Sequence, residues 1–194
     1  MKILIIDGSK EFAAAKGKLN ESLVEYAKKS LTEKGHEVQV TKADANYNGE
    51  EEVKKVLWAD VLLWQFPIWW FGTPWHIKKY LDEVFFFADG KIWANDGRTR
   101  KDPSKKYGSG GLAHDKKFML SFTWNAPVES LTDPAQFFHG LGADSVHGPI
   151  IRSHEFCGMT QIPSFQCNDV IKNPQYDEWI KNYEEHLTKY FGKQ

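Results

Sequence analysis

The sequence predicts a three-layer α/β sandwich, a five-stranded parallel sheet with helices on both faces. Three observations carry that expectation. Apolar runs at Lys2–Ile6 and Val61–Phe66 are short and unbroken, as strands buried on both faces are. Stretches of helical periodicity alternate with such runs along the chain. The length, 194 residues, suits one compact domain over 1–194, and no repeat or low-complexity segment argues otherwise.

The first strand, Lys2-Ile3-Leu4-Ile5-Ile6, ends at Asp7-Gly8-Ser9 and belongs near the sheet's centre. Leu19, Leu23, Tyr26 or Ala27, and Leu31 then recur at helical spacing until Gly35 stops the helix. His36–Val40 alternates like a strand nearer the edge. Asn46–Glu52 reads as a turn and an acidic helix start, with Val53, Val56 and Leu57 as its buried stripe. After Val61–Phe66, a helix from about Pro74 to Phe87 presents Ile77, Tyr80, Leu81, Val84 and Phe85 on one face. Lys117–Phe122 reads as the fourth strand, and Pro149-Ile150-Ile151 as the start of the fifth. Gln175–Phe191 closes the chain as an amphipathic helix carrying Trp179, Tyr183, Leu187 and Phe191.

Right-handed crossovers put the loops after strands one, three and four at one carboxyl edge. Ser9–Gly17, Pro67–Gly72 and Thr123–Pro127 are therefore expected to converge, in the crevice where ligands of open parallel sheets bind. The middle loop is unusual, because Ile68, Trp69, Trp70 and Phe71 are all large and apolar. They serve the core, a partner contact or a flat ligand, and their place at the carboxyl edge favours the ligand. The first loop runs straight into a helix whose free N–H groups suit a phosphate, and Lys16, Gly17, Lys18 and Asn20 fit that use. A solvated loop with a helix cap is the competing reading, since neither GxxxxGK[ST] nor GxGxxG is present. Thr123-Trp124-Asn125-Ala126 offers a hydroxyl, an indole, an amide and consecutive N–H groups for the edge and face of a heteroaromatic ring. Asp96–Gly111 lacks periodicity and is long for a loop in a compact domain. Its Tyr107 can reach the crevice, while Arg98, Arg100, Lys101, Lys105 and Lys106 are either solvated charge or phosphate ligands.

Charged residues make up 26% of the chain and balance to a net −1, poor footing for a nucleic-acid binder. No apolar run approaches the roughly 20 residues of a transmembrane helix, and the apolar run after Lys2 is too short for a signal peptide. A cytoplasmic protein is expected, with Cys157 and Cys167 reduced. His139 and His154 lack a spaced carboxylate or cysteine set, so no metal site is expected. Ser121 and Thr123 have no Gly-x-Ser-x-Gly elbow, which leaves acyl transfer unsupported. Without an acid, base or nucleophile set, a bound cofactor would have to carry any reaction. A flavin fits the crevice, the aromatics and the anion-binding loop together.

Trp-Gln-Phe-Pro-Ile-Trp-Trp-Phe-Gly-Thr-Pro-Trp (Trp64–Trp75), Asp96–Leu112 and Ser-Phe-Thr-Trp-Asn-Ala-Pro (Ser121–Pro127) resemble the modulator of drug activity B family. Its members are flavodoxin-like NADPH:quinone oxidoreductases, relatives of DT-diaphorase. The resemblance covers nearly the whole chain. It implies FAD at a homodimer interface, hydride uptake from NADPH and two-electron reduction of quinones in the cytoplasm. Carried over by motif, Ala15, Lys16, Gly17, Lys18, Leu19, Asn20, Glu21 and Ser22 would hold the phosphates. Ile68, Trp69, Trp70 and Phe71 would flank the flavin, and Thr123, Trp124, Asn125 and Ala126 would meet its ring edge. Tyr107 would come in from the long loop, and Trp75 would face the second subunit.

The chain departs from the pattern twice. Ala15 stands where a hydroxyl residue is common. DT-diaphorase has a Tyr and a His shortly after its ring-edge loop, and Pro127–Ala135 contains neither. No residue is therefore assigned to catalysis, and His139 is left without a role. Two other classes stand beside the enzyme: an FMN electron carrier, disfavoured by the near-neutral charge, and an interaction protein whose aromatic loop serves only a dimer contact. The choice of FAD over FMN rests on the resemblance alone.

Overall fold

The computed structural model describes residues 1–192. Five strands, β1 (Lys2–Asp7), β2 (Glu37–Lys42), β3 (Val61–Pro67), β4 (Lys117–Thr123) and β5 (Thr160–Cys167), form one sheet in the order β2-β1-β3-β4-β5. Every pairing is parallel. Alternation along the strands divides the apolar side chains between two cores. Leu4, Ile6, Trp64, Phe66, Leu120 and Phe122 face α2 (Gly49–Trp58), α3 (Trp75–Phe87) and α6 (Gly148–Phe156). Ile3, Ile5, Leu63 and Met119 face α1 (Lys18–Glu33) and α7 (Tyr176–Phe191). Two short helices, α4 (Val128–Thr132) and α5 (Ala143–Val146), lie between β4 and α6.

The helix stripes are buried as their spacing implies: Ile77, Tyr80, Leu81, Val84 and Phe85 in α3, and Trp179, Tyr183, Leu187 and Phe191 in α7. Two expectations are corrected. Pro149-Ile150-Ile151 opens α6 rather than the fifth strand. Proline beside Gly148 suits a helix start, and Ile150, Ile151 and His154 then share a buried helical face. The fifth strand is Thr160–Cys167, an edge strand in which Ile162, Phe165 and Cys167 are buried while Pro163 is exposed. Its mixed composition hides it from a search for continuous apolar runs. Leu57 is also 40% exposed rather than buried; Glu52 takes the interior place, accepting from Thr41 Oγ1 (2.8 Å) and Tyr80 Oη (2.7 Å).

Candidate active site

The strand order reverses between β1 and β3, and the loops leaving β1, β3 and β4 meet there. Gly8 N–H donates to the Gln65 carbonyl at 2.7 Å, and Ile68 N–H donates to the Thr123 carbonyl at 2.8 Å. A Cβ on Gly8 would lie 2.5 Å from Ile77 Cδ1 and 2.9 Å from the Gln65 oxygen, so only glycine permits this approach. His76, on the first turn of α3, bonds the Gly8 carbonyl through Nε2 (3.0 Å). Burial lowers the His76 pKa, so the ring is neutral and holds the first loop by an N–H donor.

The aromatic run forms a tight hairpin. Trp69 and Gly72 exchange backbone hydrogen bonds at 3.2 Å, with Trp70 (φ 48°) and Phe71 (φ 61°) as the two central residues. Positive φ at both centres is the geometry that normally selects Asn-Gly. Two bulky residues in it are strained, and such strain gathers at functional sites. The turn leaves Trp70 94% exposed. Trp69 lies half-buried against Phe12 of the first loop (4.6 Å between ring centroids) and Trp75 (5.1 Å). Phe71 stacks on Phe137 at 5.6 Å. The expected convergence is present, and Phe12 is a contact the sequence reading missed.

Helix α1 opens on Gly17 (φ 73°) with no side-chain cap, in contrast to α2, where Asn48 Oδ1 accepts from Glu50 and Glu51 N–H groups. Uncapped N–H groups and the helix dipole favour an anion. They border a hollow of about 380 Å³ lined by Ser9, Lys10, Lys16, Gly17, Lys18 and Lys42, with Glu11, Glu21 and Asp44 also on its wall. Each lysine has a carboxylate partner: Lys10 with Asp44, Lys16 with Glu11, Lys18 with Glu21 and Lys42 with Asp7. Of these, the Lys16–Glu11 and Lys18–Glu21 pairs are exposed, and such pairs contribute little and rearrange readily around an incoming anion. Ser22 Oγ bonds back to the Leu19 carbonyl (2.8 Å), Leu19 packs on the α1–α7 core, and Ala15 closes a small hairpin with Phe12.

Asn20 and Thr123 are brought together, but with each other. Asn20 Nδ2 donates to Thr123 Oγ1 at 2.9 Å, and Gln65 Nε2 donates to Asn20 Oδ1 at 2.8 Å. Trp124 is 5% exposed, with its ring 5.7 Å from Phe138 and 5.9 Å from His147. Its indole therefore forms a floor and is not free to cover a ligand's face, contrary to the sequence reading; bulk and apolarity drew it into the core. Asn125 Oδ1 accepts from Ile171 N–H (3.0 Å), and the Ala126 carbonyl accepts from Asn168 (2.9 Å), which ties this loop to the segment after β5.

Tyr107 is not among the three loops. Its ring lies tilted, 5.6 Å from that of Phe156 and beneath Arg98, over a hollow of about 450 Å³ between α3 and α6. That hollow shares Leu81 and Pro149 with a smaller one, about 240 Å³, lined by Phe71, Gly72 and His147. Arg98 is paired with Asp96 (2.6 Å). His147 is 1% exposed among Phe66, Phe122 and Trp124, and burial pushes its pKa down to about 4. His139 is exposed in a left-handed conformation (φ 54°).

Comparison with known proteins gives three kinds of match. A family described by its flavodoxin-like fold matches residues 1–189. The NADPH:quinone oxidoreductase MdaB of Haemophilus influenzae is 46% identical over 192 residues, covering 99% of this chain and 100% of that protein. A candidate quinone reductase from Klebsiella pneumoniae superposes with a TM-score of 0.75 at 23% identity, over 100% of this chain and 86% of that one. The general stress protein 14 of Treponema denticola, solved with FMN, superposes at 0.64 with 20% identity, over 97% and 96% of the two chains.

Proposed function

The chain belongs to the flavodoxin-like family and to its modulator of drug activity B branch, and from that premise we propose that it is a flavin-dependent NADPH:quinone oxidoreductase. One observation carries the reading: an uncapped helix N-terminus in a lysine-lined hollow stands at the same sheet edge as a strained, exposed aromatic turn. Backbone N–H donors beside lysines suit a pyrophosphate, and Trp69, Trp70 and Phe71 suit a flat ring. The donor set thus fits a dinucleotide flavin. When bound, the flavin would supply two-electron chemistry between nicotinamide and quinone. The residues of this chain bind and orient it: Lys16 to Ser22 the phosphates, the Ile68–Phe71 turn the flank, and the Thr123–Ala126 backbone the ring edge. Trp69 and Phe71 also exclude water from the slot, where lower polarity strengthens each hydrogen bond.

The cofactor is FAD, the hydride donor is NADPH, and one slot serves donor and acceptor in turn, giving ping-pong kinetics. The working unit is a homodimer. Trp70, Trp75, Phe86 and Tyr107 are each more than half exposed, large apolar side chains of the kind that interfaces cover. We place the enzyme in the cytoplasm; no helix among the described residues is long and apolar enough to cross a membrane. Releasing the bound chromophore, weighing it, and following NADPH oxidation with menadione on the same sample tests the reading. FAD mass and parallel initial-rate lines are expected. A protein that stays colourless after addition of FAD and FMN refutes it.

A further inference from the structure

A line of four buried polar side chains joins α1, at the anion hollow, to the end of β4. Ser121 Oγ donates to Gln65 Oε1 (2.6 Å), Gln65 Nε2 to Asn20 Oδ1 (2.8 Å), and Asn20 Nδ2 to Thr123 Oγ1 (2.9 Å). All four residues are more than nine-tenths buried, Gln65 and Ser121 in otherwise apolar stretches of β3 and β4. A hydroxyl carries one proton and two lone pairs. The Thr123 oxygen accepts from Asn20, and its own proton has no acceptor among the described residues.

Turning both amides over would reverse the line, so its direction needs a reason. That reason lies at the far end. The Tyr183 hydroxyl is buried near Ser121 and makes no hydrogen bond as it stands. As drawn, Ser121 gives its proton to Gln65 and keeps lone pairs for the phenol. Either direction leaves one buried proton over: reversed, it is that of Tyr183, fully enclosed between α7 and the sheet, whereas as drawn it is that of Thr123, at the carboxyl edge where a ligand can accept it.

We propose that this line is a directional hydrogen-bond chain that presents the Thr123 hydroxyl as a donor to an acceptor atom on the ring edge of the bound flavin. Ser121, Gln65 and Asn20 are then positioning residues, acting through Thr123. The chain also ties the phosphate-facing helix to the ring-facing strand end, so one set of bonds aligns both halves of the site. The proposal rests on the flavin reading above.

The test is fluorescence titration of the full chain with FAD and with FMN. Gln65→Glu keeps the shape and inverts the chain: a carboxylate has no proton, so Asn20 must turn its Nδ2 toward it and its Oδ1 toward Thr123. The Thr123 proton then points inward. Flavin affinity should fall about tenfold at pH 8 and recover as the new carboxyl, raised by burial, becomes protonated on acidification. A packing defect would lower the melting temperature without any such pH step. Thr123→Val should lose about tenfold in affinity and Thr123→Ser less than threefold; this pair decides the matter if Gln65→Glu does not fold. Wild-type affinity for Gln65→Glu at every pH, or for Thr123→Val, overturns the proposal and leaves the flavin reading standing. A wild-type chain that binds neither flavin overturns both.

Discussion

Two buried histidines set the acid limit of this fold. His147 sits among Phe66, Phe122 and Trp124, and His154 stacks on Phe118 at 4.4 Å; burial pushes both pKa values down to about 4. In the native state both rings stay neutral from pH 6.5 down to about 4, a range in which the unfolded chain takes up protons. Because these bases have depressed pKa values in the fold, stability is full above about pH 7 and is lost as pH falls from 6.5 toward 4. At about 1.4 kcal/mol per unit, 1.5 units at pH 5.0 give about 2 kcal/mol for each ring. The pair together costs about 4 kcal/mol, a large part of a typical 5–15 kcal/mol stability. Glu184 does not confound this window. Burial raises its pKa, but hydrogen bonds from Lys34, Ser30 and Tyr26 more than reverse that, to about 2, so its contribution is lost only below pH 4.5. The assay is urea unfolding at pH 7.5 and 5.0. His154→Leu removes one titrating ring and the unpartnered Nε2 with it. The fall in unfolding free energy between the two pH values should shrink by about 2 kcal/mol relative to wild type. The other buried histidines, His76 included, cancel in that difference. An unchanged fall in the His154→Leu protein would refute the argument.

Trp69→Ala should weaken flavin retention about tenfold, since it removes a wall shared with Phe12 and Trp75; unaltered flavin content after gel filtration would make Trp69 a packing residue. Replacing the strained centre by Trp70→Asn with Phe71→Gly should stabilise the protein by about 1–2 kcal/mol, because left-handed backbone costs Asn and Gly least. Thermal melts should show this as a higher Tm, alongside weaker flavin binding; an equal or lower Tm would show that the turn stores no strain. Tyr107→Phe, at a residue 69% exposed, should change stability by less than about 0.5 kcal/mol while lowering turnover several-fold. Matching losses in Tm and activity would assign its hydroxyl to structure.

The three-layer architecture and the meeting of three loops were legible from local pattern alone. Unbroken apolar runs mark strands covered on both faces, and helical spacing marks what covers them. Those signals are local, so they locate β1, β3 and β4 well and fail at β5, whose edge position leaves Thr160 and Pro163 exposed. The aromatic turn was readable for the same reason: four bulky residues between Pro67 and Gly72 announce themselves wherever the chain goes. Polar side chains are different, because a buried amide or hydroxyl takes the partner that the topology delivers. Gln65 meets Asn20 across 45 positions and Ser121 across 56, while Asn20 meets Thr123 across 103. Gln65 and Ser121 were still detectable as lone polar residues in apolar strands, though nothing in the sequence says what they bond. Trp124 and Tyr107 make the same point from the apolar side: the fold turned one ring into the floor and set the other over α6. Sequence alone determined which loops meet at the carboxyl edge of the sheet, because periodicity fixes strand and helix faces. Tertiary structure decided which of their atoms remain free to bind, because that depends on neighbours brought together from distant parts of the chain.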